Sequence, residues 1–220
     1  MNIVIIDYGL CNLRSVHNAL KTLKVESRVS SDPADLIDAD AVILPGVGAF
    51  EKGMQGLQEK GFIEPIKKFV ETGRPFLGIC LGMQMLMSKS YEFGEFNGLN
   101  LIEGEVRPFK NTITDEKYDF KVPHIGWNNL LAGENPWNNI LLDDIADSQE
   151  VYFVHSYFVA PKNQENVLSR TSYANQDFCS TVAKENIFGC QYHPEKSSDV
   201  GLKILNNFVR MAQNEHGSKK

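Results

Sequence analysis

Long hydrophobic runs are missing from this chain of 220 residues. A helix that spans a bilayer needs about 20 consecutive, mostly apolar residues, and no stretch of the sequence provides them. The N-terminal segment 1–7 has the pattern of a β-strand rather than of a signal peptide. We therefore expect no membrane association and a cytoplasmic location.

An excess of positive charge is also missing, because the formal net charge is −6 at pH 7. Proteins that bind nucleic acids through a broad surface neutralise the phosphates with clustered Lys and Arg. The composition therefore argues against a nucleic-acid partner recognised in that way.

Cysteine is scarce, and the four cysteines are Cys11, Cys80, Cys179 and Cys190. Their spacing lacks the paired ligands of a structural zinc site, and a reducing compartment would leave them as free thiols. The histidines His17, His124 and His155 add no His-x-x-x-His pair on a helix. We expect no metal ion and no cofactor.

The chain contains neither an internal repeat nor a low-complexity linker. Its length suits one domain, which we place at residues 1–213, followed by a polar tail at 214–220. Short apolar runs bounded by Gly, Pro or Asp predict buried strands in the first half, and amphipathic patterns between them predict helices. The predicted strands are Ile3–Ile6, Ala41–Leu44 and Phe76–Ile79; the helices contain Leu13, Val16, Leu20 and Leu23, and Phe62, Ile66, Phe69 and Val70.

The second half is richer in strands. Its strand-like runs are Leu101–Pro108, Val151–Val159, Val167–Tyr173, Ser180–Ala183 and Ile187–Tyr192, and a last helix contains Val200, Ile204, Leu205, Phe208 and Val209. Strands that alternate with helices form parallel sheets covered on both faces. We therefore predict an α/β domain with a largely parallel sheet and a mixed or antiparallel extension.

The stretch Gly78-Ile79-Cys80-Leu81-Gly82 carries the clearest chemical signal. A nucleophile on a sharp strand-to-helix turn needs small residues two positions before and after it. The N–H groups and dipole at the start of a helix also favour a thiolate. The motif therefore indicates a nucleophile at Cys80, and the alternative is a buried structural cysteine.

A second motif, His193-Pro194-Glu195, follows the last predicted strand. A cysteine nucleophile needs a base and a group that orients the base, although the three can be distant in sequence. His193 and Glu195 can fill those roles. On its own the motif would also suit an ordinary loop.

Together, these two motifs resemble the signatures of class I (triad) glutamine amidotransferases. Three further segments resemble the glutaminase subunits of imidazole glycerol phosphate synthases within that family: Pro45–Phe50, Pro123–Asn128 and Tyr152–Tyr157. The resemblance implies a three-layer, flavodoxin-like amidotransferase fold. It also implies hydrolysis of L-glutamine to glutamate and ammonia through a thioester on Cys80.

The resemblance further implies roles for residues around the triad. The oxyanion hole would use the N–H of Leu81 and the loop of Gly46, Val47 and Gly48, where a backbone flip controlled by the partner would supply the second donor. That loop could equally be a simple turn at a strand end. The residues that would hold the amino-acid end of glutamine are Gln84, Glu92, Ser156 and Tyr157.

The resemblance also implies a partner. Ammonia would pass to a cyclase subunit, a (β/α)8 barrel, which forms imidazole glycerol phosphate and AICAR from PRFAR in histidine biosynthesis. The heterodimer interface would include Asn12, Trp127, Tyr152 and Lys196, although Trp127 and Tyr152 would also suit a protein core.

One departure from the family pattern leaves the ammonia acceptor open. Where these subunits commonly read Asp-Tyr-Gly-x-Gly-Asn, this chain has Cys11 in place of the second glycine. The alternatives are a paralogous glutaminase that feeds a sugar amidotransferase for surface polysaccharides, a non-catalytic scaffold, and a cysteine peptidase built on the same turn. The intact triad argues against the scaffold, and the Gln84 and Tyr152–Tyr157 patterns argue against the peptidase.

Overall fold

The computed structural model describes residues 1–109, 121–132, 137 and 139–217, and the side chains as far as Gln213. Its strands are β1 (Ile3–Ile6), β2 (Ser27–Ser30), β3 (Ala41–Gly46), β4 (Phe76–Cys80), β5 (Lys89–Ser90), β6 (Phe96–Asn97), β7 (Gly104–Pro108), β8 (His124–Asn129), β9 (Glu150–His155), β10 (Tyr157–Pro161), β11 (Val167–Tyr173), β12 (Gln176–Lys184) and β13 (Ile187–Cys190). The α-helices are α1 (Leu13–Thr22), α2 (Phe50–Glu59), α3 (Ile63–Val70), α4 (Leu81–Met85) and α5 (Ser198–Gly217).

The main sheet has the order β2-β1-β3-β4-β13-β12-β10-β7-β5-β6, and β11 pairs with β12. The neighbours from β2 to β13 run parallel, whereas β12 pairs with β13, β10 and β11 in antiparallel fashion. The predicted α/β architecture, with a largely parallel sheet and an antiparallel extension, is confirmed.

The core lies on both faces of the parallel strands, because alternate residues of a strand point to opposite sides. Ile3 and Ile5 pack on one face with α1 and α5, and Val4 and Ile6 pack on the other with α2 and α3. The result is a helix–sheet–helix arrangement of three layers. It buries the short continuous apolar runs completely, as the sequence predicts for such strands.

Some boundaries differ from the sequence expectations. The run Val151–Val159 is two strands, because the chain leaves β9 at His155 and enters β10 at Tyr157. β9 pairs with β8 in a small separate sheet, here called the β8–β9 sheet, whereas β10 joins the main sheet. Ser156 lies between the two strands.

Helix α5 continues to Gly217, four residues into the segment expected to be a polar tail, and residues 218–220 lie outside the described residues. Within the described part of the chain, no helix combines the length and the apolar character that a membrane crossing requires.

Candidate active site

Cys80 lies at a sharp turn between β4 and α4. It has a φ of +54°, a conformation that an L-residue adopts only at a cost. A Cβ on Gly78 would come within 2.7 Å of the Gly82 backbone, and one on Gly82 would overlap the carbonyl oxygen of Leu44. The two glycines therefore make the turn possible, and the turn places the cysteine at the carboxyl edge of the sheet.

His193 reaches the same edge from β13, the neighbour of β4. Its Nδ1 lies 2.8 Å from Oε1 of Glu195, and both side chains are almost completely buried. The hydroxyl of Ser197 donates to the carbonyl of His193 at 2.7 Å. The Ser197 contact holds the backbone of His193 and the Glu195 carboxylate holds the imidazole, so its Nε2 is left for other partners.

The protonation of His193 is coupled to the thiol. Burial lowers the pKa of His193, but the nearby Cys80 and Glu195 favour the charged imidazolium, outweigh burial and raise the pKa to about 10. Nε2 has no hydrogen-bond partner among the described residues. The arrangement suits a base that accepts the thiol proton and later protonates a leaving group.

The loop after β3 lies beside the cysteine, because Gly46 pairs directly with Cys80 across the parallel strands. Val47 and Gly48 line the same pocket as Cys80, and Gly48 has a φ of +96°. The N–H of Val47, however, donates to the carbonyl of Leu10 at 3.0 Å. In this conformation Val47 therefore offers no free donor to an oxyanion. Leu81 is the first residue of α4 and lines the pocket, and the first N–H groups of a helix lack partners within it.

A pocket of about 390 Å³ opens at Cys80, a volume in the range of small-molecule sites. Its lining includes most of the residues expected from the sequence: Val47, Gly48, Cys80, Leu81, Gln84, Glu92, Ser156, Tyr157 and His193. Gly46 and Glu195 do not line it. Pro123, Val154 and His155 also line it; the sequence analysis placed them within family-like segments but gave them no role in the site.

Gln84 is held from two sides. Its Nε2 donates to the carbonyl of Tyr157 at 3.0 Å and to Oε1 of Gln191 at 3.2 Å. The Nε2 of Gln191 in turn lies 3.9 Å from the Sγ of Cys80. Both hydrogens of the Gln84 amide are therefore used, and the atom that it can offer to a ligand is the acceptor Oε1. Sequence reasoning missed Gln191, which follows β13 directly.

Glu92 adds a carboxylate to the lining of the pocket. One of its oxygens accepts the N–H of Phe50, the first residue of α2. Burial raises the pKa of Glu92, and this hydrogen bond acts in the opposite direction. A carboxylate in this position can receive an ammonium group from a bound amino acid.

The residues expected at a partner interface occupy different surroundings. Trp127 is 50% exposed on β8, and Lys196 is exposed beside the triad. Tyr152 lies opposite Trp127 on β9, with ring centroids 6.1 Å apart. The Tyr152 N–H donates to Oγ of Ser197 at 2.9 Å, and its carbonyl accepts the N–H of His193 at 2.9 Å. Tyr152 therefore connects the exposed face of the β8–β9 sheet to the backbone of His193.

Asn12 precedes α1 and accepts a hydrogen bond from the hydroxyl of Ser15 at 3.0 Å. The neighbouring Sγ of Cys11 lies 3.6 Å from the carbonyl oxygens of Ile6 and Pro45, so it packs against the strand that leads into the Gly46–Gly48 loop. Burial raises the pKa of Cys11 to about 11, which keeps this thiol protonated and unreactive at neutral pH.

The remaining thiols are inert in the same way, because burial raises the pKa of Cys179 and of Cys190 to about 12. Among the described residues, no group of three or more His, Cys, Asp or Glu side chains could hold a metal ion.

Comparison with known proteins adds to this geometry. The family model for "Glutamine amidotransferase class-I" matches residues 4–212. The chain is 46% identical over 213 residues to the imidazole glycerol phosphate synthase subunit HisH 1 of Legionella pneumophila strain Lens, which covers 96% of this chain and 99% of that protein. It is 47% identical over 207 residues to subunit HisH of Geobacter metallireducens, which covers 94% and 97%.

Two solved structures share the fold at low sequence identity. A glutamine amidotransferase has a TM-score of 0.71 at 19% identity and covers 96% of this chain and 98% of its own. The PurLQS structure from Thermotoga maritima has a TM-score of 0.71 at 20% identity and covers 95% of this chain and 97% of its own.

Proposed function

The chain belongs to the class I glutamine amidotransferase family, and we propose that it is the glutaminase subunit of an imidazole glycerol phosphate synthase in histidine biosynthesis. One observation carries the chemical part of the proposal. Cys80 and His193, which leave neighbouring strands β4 and β13, open into a single pocket, and Glu195 orients His193 from behind. The proposed catalytic domain covers residues 1–213.

The reaction uses each of these groups in turn. The thiolate of Cys80 attacks the side-chain amide carbon of L-glutamine, and His193 protonates the departing nitrogen, so ammonia leaves and a thioester forms. His193 then takes a proton from water, which attacks the thioester and releases glutamate. Glu195 holds the imidazole in place and stabilises its protonated form.

The oxyanion of each tetrahedral intermediate needs donors, and the loss of one typically lowers the rate by about a hundredfold or more. Leu81 supplies one N–H. The second comes from the Gly46–Gly48 loop only after the bond from Val47 to the Leu10 carbonyl breaks. We infer that the isolated subunit is a slow glutaminase for this reason, and that partner docking releases the loop.

The amino-acid end of glutamine lies between Gln84, Glu92 and the Ser156–Tyr157 turn. The Glu92 carboxylate receives the α-ammonium group, and Oε1 of Gln84 accepts a hydrogen bond from the substrate. These polar groups all line the pocket at Cys80. The pocket therefore favours a free amino acid over an extended peptide.

The partner of this subunit is a cyclase subunit with a (β/α)8 barrel, and the two form a heterodimer. Trp127 and Ile125 present an apolar surface on β8, where Ile125 is 60% exposed. Lys196 adds a positive charge next to the triad, and Asn12 lies at the start of α1. Because ammonia becomes ammonium in bulk water, docking over this face keeps the product on its way to the cyclase.

Glutamate release tests the proposal. The purified chain is assayed alone, with the cognate cyclase subunit, and with that subunit plus its ribonucleotide ligand PRFAR, and Cys80→Ala serves as the blank. Strong Cys80-dependent stimulation by the partner is the expected result. Stimulation only by a sugar amidotransferase would move the chain to the polysaccharide pathway, and no turnover with any synthase would contradict a catalytic role.

A further inference from the structure

Two buried histidines next to the pocket have no role in the reaction proposed above. Nδ1 of His155 lies 2.8 Å from the carbonyl oxygen of Tyr157. A carbonyl oxygen can only accept, so His155 carries its proton on Nδ1 and has a lone pair on Nε2. Nδ1 of His124 lies 3.1 Å from that Nε2 and must therefore donate to it.

The hydrogen bonds of Asn128, on the other side of His124, independently give the same position for the His124 proton. Nδ2 of Asn128 lies 3.3 Å from Nε2 of His124 and also donates to the carbonyl of Ser172 at 3.0 Å. Oδ1 of Asn128 accepts the N–H of Asn129 at 2.8 Å, which fixes the orientation of the amide. Asn128 therefore donates to His124, and the proton of His124 must be on Nδ1.

The near end of the arrangement reaches the nucleophile. The Tyr157 carbonyl that accepts from His155 also accepts from Nε2 of Gln84 at 3.0 Å. Gln84 donates as well to Gln191, whose Nε2 lies 3.9 Å from the Sγ of Cys80. One backbone carbonyl thus joins the two histidines to the amide that lines the pocket.

We propose that His124 and His155 are positioning residues for glutamine binding: a relay of neutral hydrogen bonds from Asn128 through both imidazoles to the Tyr157 carbonyl fixes the Ser156–Tyr157 turn and the Gln84 amide. This inference rests on the proposed glutaminase function. It also gives β8, the strand that carries Trp127, a direct connection to the substrate pocket.

The surroundings of the relay keep it neutral. The His124 ring stacks on Phe153 and Tyr173, with centroids 4.9 and 3.9 Å apart, and the His155 ring packs against Phe109 and Phe178. Burial lowers the pKa of His124 to about 4 and that of His155 to about 3. A second proton on His155 would also place two N–H donors opposite each other, which would break the relay.

The tautomers can be observed directly by NMR, without any turnover. Long-range ¹⁵N–¹H spectra of the wild-type chain labelled at histidine distinguish a protonated from an unprotonated ring nitrogen, and single variants at the two positions assign the signals. Both residues are expected to be protonated at Nδ1 and unprotonated at Nε2 at pH 7. A proton on Nε2 of either residue would overturn the relay.

A matched pair of substitutions at His155 tests the role of the relay in glutamine binding. In His155→Asn the amide nitrogen can take the place of Nδ1 and still donate to the Tyr157 carbonyl, whereas in His155→Gln the amide reaches only the position of Nε2. Because His155→Gln loses the buried donor, its KM for glutamine is expected to rise about tenfold. Its kcat is expected to change much less than its KM. The KM of His155→Asn is expected to stay within about threefold of wild type.

If only the loss of side-chain volume mattered, His155→Asn would be the more impaired variant, because Asn leaves the larger cavity. The assays use the complex with the cyclase subunit and PRFAR, and melting curves check that each variant is folded. His17→Asn and His17→Gln are the controls, since His17 contacts Ser27 on β2, away from the pocket. The proposal would be overturned if the KM for glutamine of His155→Gln were equal to or lower than that of His155→Asn. If the wild-type complex released no glutamate, the proposed function would fail, and the tautomers would still decide the relay.

Discussion

The backbone N–H of Val47 donates a hydrogen bond to the carbonyl oxygen of Leu10 at 3.0 Å. Val47 follows Gly46, which pairs with the proposed nucleophile Cys80, so this bond holds the loop that would complete the oxyanion hole. The structure therefore combines an oriented His193–Glu195 pair with an oxyanion loop in which the Val47 donor is already occupied. This combination is what the proposed dependence of glutaminase activity on the partner requires.

Removal of Glu195 is expected to reduce glutaminase activity less than removal of Cys80. Cys80→Ala has no nucleophile, whereas Glu195→Gln keeps both the nucleophile and His193 and loses only the charge that orients the base. The residual kcat of Glu195→Gln in the stimulated complex should exceed that of Cys80→Ala by on the order of tenfold or more. Equal rates in a glutamate-release assay would contradict the orienting role of Glu195.

A methyl group at Gly82 is expected to destabilise the protein by about 3 kcal/mol or more, because it would overlap the Leu44 carbonyl, which is backbone and cannot turn aside. Gly73→Ala is the matched control. Gly73 has a φ of +79° and open space around it, so alanine there costs only the strain of that conformation, about 1 kcal/mol. Urea unfolding measures both, and equal losses would show that the close approach of Gly82 to β3 is unimportant.

The two buried histidines make stability depend on pH. In the unfolded chain both histidines have a pKa near 6.5. In the folded protein the pKa of His124 is about 4 and that of His155 is about 3. Between those values the unfolded chain binds more protons, so the free energy of unfolding decreases as pH falls below 6.5, by up to about 1.4 kcal/mol per pH unit for each histidine. No such loss from these groups occurs above that pH.

The variant His124→Phe keeps the stacked aromatic ring and removes one titrating group. Its free energy of unfolding should therefore fall less steeply than that of wild type between pH 6 and pH 4.5, in urea titrations at several pH values. His193, with its pKa raised to about 10, affects stability in a different pH range. Its contribution to stability is complete below pH 6.5 and is lost as pH rises toward 10. Identical slopes for the two proteins below pH 6.5 would contradict a neutral, buried His124.

Much of the fold is predictable because continuous apolar runs and helical periodicity are local signals. Val167–Tyr173 is a strand with the predicted bounds. Helix α2 was missed because Gly53 and Gly56 weaken its helical pattern. Gly56 lies against backbone, since a Cβ there would meet the carbonyl of Tyr8 at 2.7 Å, whereas a Cβ on Gly53 would meet the Sδ of Met85, a flexible side chain, at 2.8 Å.

The two motifs proposed for the active site could be recognised in the sequence for the same reason, since each carries its own backbone requirement in adjacent residues. The contacts around them were not. Gln84 and Gln191 are separated by 107 positions in sequence, and His124 and His155 by 31, so nothing in the local pattern brings either pair together. The end of β9 at His155 also depends on which sheet each half of the run joins, and this is decided by tertiary pairing.

The exposed face of the β8–β9 sheet provides the last test. Trp127→Ala is expected to weaken binding of the cyclase subunit by at least about thirtyfold, because a large aromatic anchor in an interface is commonly worth about 2 kcal/mol or more. The control is Ile37→Ala, which removes a side chain that is 70% exposed beside the Pro33–Leu36 turn. Isothermal titration calorimetry with the purified cyclase subunit measures both affinities. Since Tyr152 joins Trp127 to the backbone of His193, Trp127→Ala should also reduce the stimulation of glutaminase activity when the cyclase subunit is saturating. An unchanged affinity would place the cyclase subunit on another surface.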